Sequence, residues 1–111
     1  MGMAQSESDD EKEATRCARY LKALGDPVRL QIIRALQSCS MSVSDISSIL
    51  ELDLPNVSHH LRVLFNAGLV TTERDGKFIY YSLSPDVMKS KSIPSGLFDF
   101  GCCKLDMRAS K

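Results

Sequence analysis

Residues 53–83 read DLPNVSHHLRVLFNAGLVTTERDGKFIYYSL, and the fold turns on where that stretch changes its period. Asp53 can cap a helix whose first turn holds Pro55, and Val57, Leu61 and Leu64 recur at helical spacing, so a helix is expected over residues 55–67. Gly68 followed by Leu69 reads as a left-handed C-cap with its hydrophobic contact. From residue 69 to residue 83 the period falls to two. Ile79, Tyr81 and Leu83 alternate with Phe78, Tyr80 and Ser82, and Asp75 with Gly76 lies between two strand-like runs, as a hairpin turn requires.

Upstream, Ser42 can cap a helix over residues 43–51 with Val43, Ile46, Ile49 and Leu50 on its apolar face, and residues 52–54 form the turn that follows. Two short helices joined by a tight turn and followed by a ribbon are the parts of a winged helix-turn-helix. Further upstream, Ala14, Cys17, Ala18, Leu21 and Leu24 form an apolar stripe on a first helix that Gly25 ends. Asp26 and Pro27 open a second helix running to about Gln37, with Val28, Ile32, Ile33 and Leu36 inward, and residues 38–40 are a connector. Downstream, Ser84, Pro85 and Asp86 open a last helix that Pro94 and Gly96 end or interrupt. The expected class is mainly α with a two-stranded β-wing. An acidic flexible tail is expected over residues 1–13, a DNA-binding and dimerisation domain over 14–93, and a cysteine-containing sensor tail over 94–111.

A chain of 111 residues with 43% hydrophobic content fits one soluble domain. Its formal charge is zero, but residues 1–13 carry five acids against Lys12, so the remainder is basic by four. No run approaches the roughly 18 apolar residues of a spanning helix, and the polar N-terminus has no secretory h-region, so a cytoplasmic protein with no membrane partner is expected. In that compartment thiols stay reduced, which turns Cys17, Cys39, Cys102 and Cys103 from disulfide candidates into candidates for metal, metalloid or redox chemistry.

With Val57, Leu61 and Leu64 inward, the helix over 55–67 presents Asn56, His59 and Arg62, with Ser58 and His60 at the margins, to a DNA major groove. Arg74 and Lys77 flank the hairpin tip, where a wing meets a phosphate or the minor groove, although solvated hairpin charges look the same in sequence. Adjacent histidines on a helix diverge by roughly 100°, which disfavours a shared metal at His59 and His60. No Ser/His/Asp set, phosphate loop or carboxylate pair has useful spacing, so an enzyme is not expected, nor is an organic cofactor.

Four runs, LKALGDPVRL from Leu21, NVSHHLRVL from Asn56, AGLV from Ala67 and GKFIYYSL from Gly76, together resemble the arsenical-resistance repressor (ArsR/SmtB) family of winged helix-turn-helix metalloregulators. The resemblance covers about residues 14–88. It implies a homodimer built on the first and last helices, bound to palindromic double-stranded operator DNA and released by an inducer. Two sensor sites common in that family are missing: its Cys-Val-Cys run corresponds here to Ser42, Val43 and Ser44, and residues 84–93 contain no His for a zinc set.

Cys102 and Cys103 remain. Adjacent cysteines close a strained ring as a disulfide, whereas one soft thiophilic atom can bind both thiolates. Trivalent arsenic or antimony fits, and some relatives carry such a pair for that purpose. Arsenite or antimonite forms three bonds and calls for a third thiolate, for which Cys17 is the better candidate. Without it, two sulfurs suit an organoarsenical such as methylarsenite. Cys39 reads as incidental. The expected function is thus a repressor relieved by a trivalent arsenical. Its rivals are a thiol-redox or persulfide-responsive repressor of the same fold and an interaction module that does not bind DNA.

Overall fold

The computed structural model describes residues 9–87 and 96–108. Helix α1 (Asp9–Ala23) begins inside the acidic segment, where negative charge complements the positive end of the helix dipole. Its inward face differs from the expected stripe. Cys17, Tyr20, Ala23 and the following Leu24 are buried, whereas Ala14 and Ala18 are exposed and Leu21 is 49% exposed. The cause lies far along the chain: the Tyr20 ring packs 5.4 Å from that of Phe100, and burying an aromatic rotates the helix toward it.

Helix α2 (Pro27–Leu36) starts as its sequence implies. The Asp26 carboxylate accepts from the backbone N–H groups of Val28 at 2.8 Å and Arg29 at 3.2 Å, and Ile32, Ile33 and Leu36 enter the core. After the connector comes a strand too short for periodicity to reveal. Strand β1 (Met41–Ser42) pairs antiparallel with β3 (Phe78–Leu83), which also pairs with β2 (Val70–Asp75), giving a three-stranded sheet in the order β1-β3-β2. The wing is therefore anchored at its base by one strand more than expected.

Helix α3 (Val43–Leu50) opens with a reciprocal capping box between Ser42 and Asp45. Ile46 is fully buried, but Ile49, expected inward, is 56% exposed. The helix is only two turns long, and Ile49 falls outside the arc that Ile46 and Leu50 turn toward α4 (Leu54–Asn66). Helix α4 starts on its Asp53 cap and buries Val57, Leu61 and Leu64. It ends in a Schellman motif: Leu69 N–H donates to the Leu64 carbonyl, Gly68 N–H to that of Phe65, and Gly68 takes φ +86°. In the ribbon, Asp75 pairs with Phe78, so the loop is Gly76 and Lys77, one residue later than the expected turn, with Gly76 at φ +64°.

Residues 84–87 form a turn. The rest of the expected last helix lies outside the described residues. The segment treated in sequence only as a tail contains a second hairpin, β4 (Leu97–Asp99) with β5 (Lys104–Asp106). Its Phe98 and Phe100 are 1% and 2% exposed and belong to the same core as the four helices. Gln37 docks it to α2, donating from Nε2 to the Leu97 carbonyl at 3.0 Å and accepting at Oε1 from Gly96 N–H. No helix among the described residues is long and apolar enough to cross a membrane.

Candidate nucleic-acid interface and thiol cluster

Asn56, Ser58, His59 and Arg62 are exposed along α4, on the side opposite Val57, Leu61 and Leu64. Arg74 and Lys77 are exposed on the wing, with the Lys77 ammonium 5.6 Å from the centre of the Phe78 ring. His60 departs from expectation. It is 9% exposed, lies one turn after Val57 on the inward side, and its Nδ1 is 3.2 Å from Arg29 Nη1. A guanidinium has only donors, so Nδ1 accepts. The same Arg29 donates from Nε to the Ala23 carbonyl at the end of α1. His60 therefore ties α4 to α1 and α2 and leaves the exposed set. Sequence spacing carried the signal, since residues 57, 60, 61 and 64 are one helical stripe. Burial opposes ionisation of the neighbouring Asp26, but the N–H bonds from Arg29 and Val28 outweigh it and hold that carboxyl below the usual range.

The second hairpin turns around Gly101 and Cys102. Phe100 N–H donates to the Cys103 carbonyl at 2.9 Å, and Gly101 takes φ +89° with its N–H bonded to Asp99 Oδ1. That tight tip, held down by Phe98 and Phe100, carries Cys102 and Cys103 to α1. Cys17 and Cys102 are joined as a disulfide with Cα atoms 6.1 Å apart, and Cys103 Sγ lies 2.8 Å from Cys17 Sγ. All three sulfurs fall within 4.8 Å of one another, with Cys17 buried and the pair half-buried. Cys39 is exposed in its connector, away from the cluster. Ser42 and Ser44 offer no thiolate at the start of α3. Three sulfurs so placed can do two things: exchange a disulfide, or together ligate one thiophilic atom once reduced.

Residues 26–72 match the family described as bacterial regulatory protein, arsR family. Among curated proteins, the transcriptional repressor SdpR of Bacillus subtilis (strain 168) is 38% identical over 61% of this chain and 76% of its own length. Among solved structures, reduced HlyU from Vibrio cholerae N16961 superposes with a TM-score of 0.63 at 38% identity, over 67% of this chain and 78% of that one. The homodimeric winged helix-turn-helix DNA-binding domain Mb0332 from Mycobacterium bovis gives 0.64 at 30% identity, over 74% and 76%. With four helices and a β-wing among its described residues, and with these matches, the chain belongs to the arsR family of DNA-binding transcriptional regulators, and it is not an enzyme.

Proposed function

We propose that this chain is a homodimeric repressor that holds palindromic double-stranded operator DNA until a trivalent arsenical is captured by Cys17, Cys102 and Cys103. The observation that carries this reading is the convergence of the three sulfurs within 4.8 Å. Arsenite condenses with one thiol at a time, releasing a water for each As–S bond. Three bonds complete its pyramid, so a three-sulfur site suits arsenite and antimonite, while Cys102 and Cys103 alone satisfy methylarsenite. The disulfide consumes two of the sulfurs, so capture requires the reduced chain, as the cytoplasm would keep it.

Asn56, Ser58, His59 and Arg62 of α4 would meet the major groove, and Arg74 and Lys77 of the wing a flanking phosphate. Dimerisation is supported by the exposed Ala14, Ala18 and Leu21, spaced i, i+4 and i+7 along one side of α1. Arsenic bound across the cluster ties α1 to the C-terminal hairpin and so favours one arrangement of the protomers. A coupling of about 1–3 kcal/mol between inducer and DNA lowers operator affinity roughly 5- to 150-fold, enough to switch a promoter.

The Cys17–Cys102 disulfide supports a second reading, in which oxidation or persulfidation is the signal. Fluorescence anisotropy of a labelled duplex from the chain's own upstream region separates the two. Release by arsenite under a reductant that keeps the Cys17–Cys102 disulfide open is the expected result. Release by peroxide or persulfide without response to arsenite transfers the function to redox sensing.

A further inference from the structure

Between α4 and the wing lies a groove of about 360 Å³ lined by Ser58, Arg62, Phe65, Thr72, Ile79 and Tyr81. Paired residues in an antiparallel ribbon share a face, and residues two apart along a strand do too. The pairs Thr72 with Tyr81 and Arg74 with Ile79 therefore stand on one side of the wing, while Glu73 with Tyr80 and Asp75 with Phe78 stand on the other. Both wing acids are thus segregated away from the groove. On the groove side lie hydroxyls of Ser58, Thr72 and Tyr81 and the guanidinium of Arg62, and none of the four side chains has a hydrogen-bond or ion-pair partner among the described residues. Phe65 and Ile79 are 48% and 39% exposed beside them.

We propose that this groove is a socket for one backbone phosphodiester of the operator, with Arg62 supplying charge, Thr72 and Tyr81 donating hydroxyl hydrogen bonds from the wing, and Phe65 and Ile79 covering the adjoining deoxyribose. The inference rests on the DNA-binding reading and extends it to wing residues that the exposed face of α4 does not include. A phosphodiester matches the site because it presents a single negative charge with two acceptor oxygens, and the groove offers one cation, several donors and no acid. The bond from wing to backbone would fix the angle at which α4 enters the major groove. Thr72 and Tyr81 are thus positioning residues that carry no base preference of their own.

The test uses the full chain and an operator duplex in which single phosphates are replaced, one at a time, by neutral methylphosphonate. Wild-type binding should weaken roughly tenfold at one particular phosphate per half-site. Tyr81→Phe and Thr72→Val should each weaken binding to the unmodified duplex severalfold, equally across operator variants, and lose their additional sensitivity at that same phosphate. Arg62→Ala should also reduce the slope of log affinity against log salt by about 0.9, the value for one phosphate. Thr71→Val, on the opposite wing face and bonded there to Ser82, should change none of these. Melting temperatures close to wild type keep the comparison free of folding effects. If Tyr81→Phe and Thr72→Val remain as sensitive as wild type at every modified phosphate, the socket is refuted while DNA binding stands. If the wild-type chain binds no duplex, the DNA-binding reading falls and the socket with it.

Discussion

Truncating Phe100 to alanine should uncouple the thiol cluster while leaving the DNA-binding half of the molecule intact. The ring is 2% exposed and sits 5.4 Å from Tyr20 and 6.3 Å from Phe98, so it both fills the core beside α1 and holds down the hairpin that carries Cys102 and Cys103. Removing a buried Phe side chain costs about 3–5 kcal/mol, of which the aromatic pairing is about 0.5–1.5. The Gln37 bonds and Phe98 still hold the other end of the hairpin, so only part of this loss falls on its docking. If about 2 kcal/mol does, the equilibrium constant for holding Cys17 beside the pair drops roughly 30-fold, at 1.4 kcal/mol per decade. Anisotropy titration under a reductant should then show arsenite releasing the operator only at higher concentration, by up to roughly 30-fold. Binding of methylarsenite to Cys102 and Cys103, which two sulfurs satisfy, should shift little when measured directly, and operator affinity without inducer should stay within about twofold. An arsenite response in Phe100→Ala identical to wild type, with the substitution verified by a lowered melting temperature, would refute the claim that hairpin docking assembles the site.

His59→Ala should weaken operator binding without lowering the melting temperature. His60→Ala should cost about 1–3 kcal/mol in chemical denaturation because Arg29 Nη1 loses its acceptor, and equal stabilities would contradict the inward placement of His60. Asp26→Ala removes the cap of α2 and should cost about 0.5–2 kcal/mol on the same measurement. The hydrogen bonds from the Arg108 side chain, and then from its backbone N–H, lower the Asp106 carboxyl from 3.8 to about 2. Its contribution is therefore complete above about pH 4 and lost as pH falls toward 2, and being exposed it should shrink with salt. A carboxyl NMR titration checks this: a midpoint near the ordinary aspartate value, or one unmoved by Arg108→Ala, would contradict the pairing.

The helix-turn-helix and the wing were legible because their signals are local. Caps at Asp26, Ser42 and Asp53, the period of Val57, Leu61 and Leu64, and the αL glycine at residue 68 each act within a few residues. What sequence hid depends on distant partners. Tyr20 turns inward to pack on Phe100, eighty residues later, and Ala14, Ala18 and Leu21 are left outside. Strand β1 is defined by its partner β3 and has no period of its own. His60 was misplaced because the residue type suggested DNA, although its spacing from Val57 already pointed inward. The thiol site was half readable: adjacent cysteines announced themselves, while Cys17, eighty-five residues from Cys102, could be named only as a tentative third ligand.

Arsenic X-ray absorption on the reduced chain loaded with one equivalent of arsenite tests the central claim most directly. The account predicts an arsenic shell of three sulfurs in the wild type, falling to two sulfurs and an oxygen in Cys17→Ser, with the operator released only in the first case. A wild-type shell of two sulfurs unchanged by Cys17→Ser, or one dominated by oxygen, would contradict it.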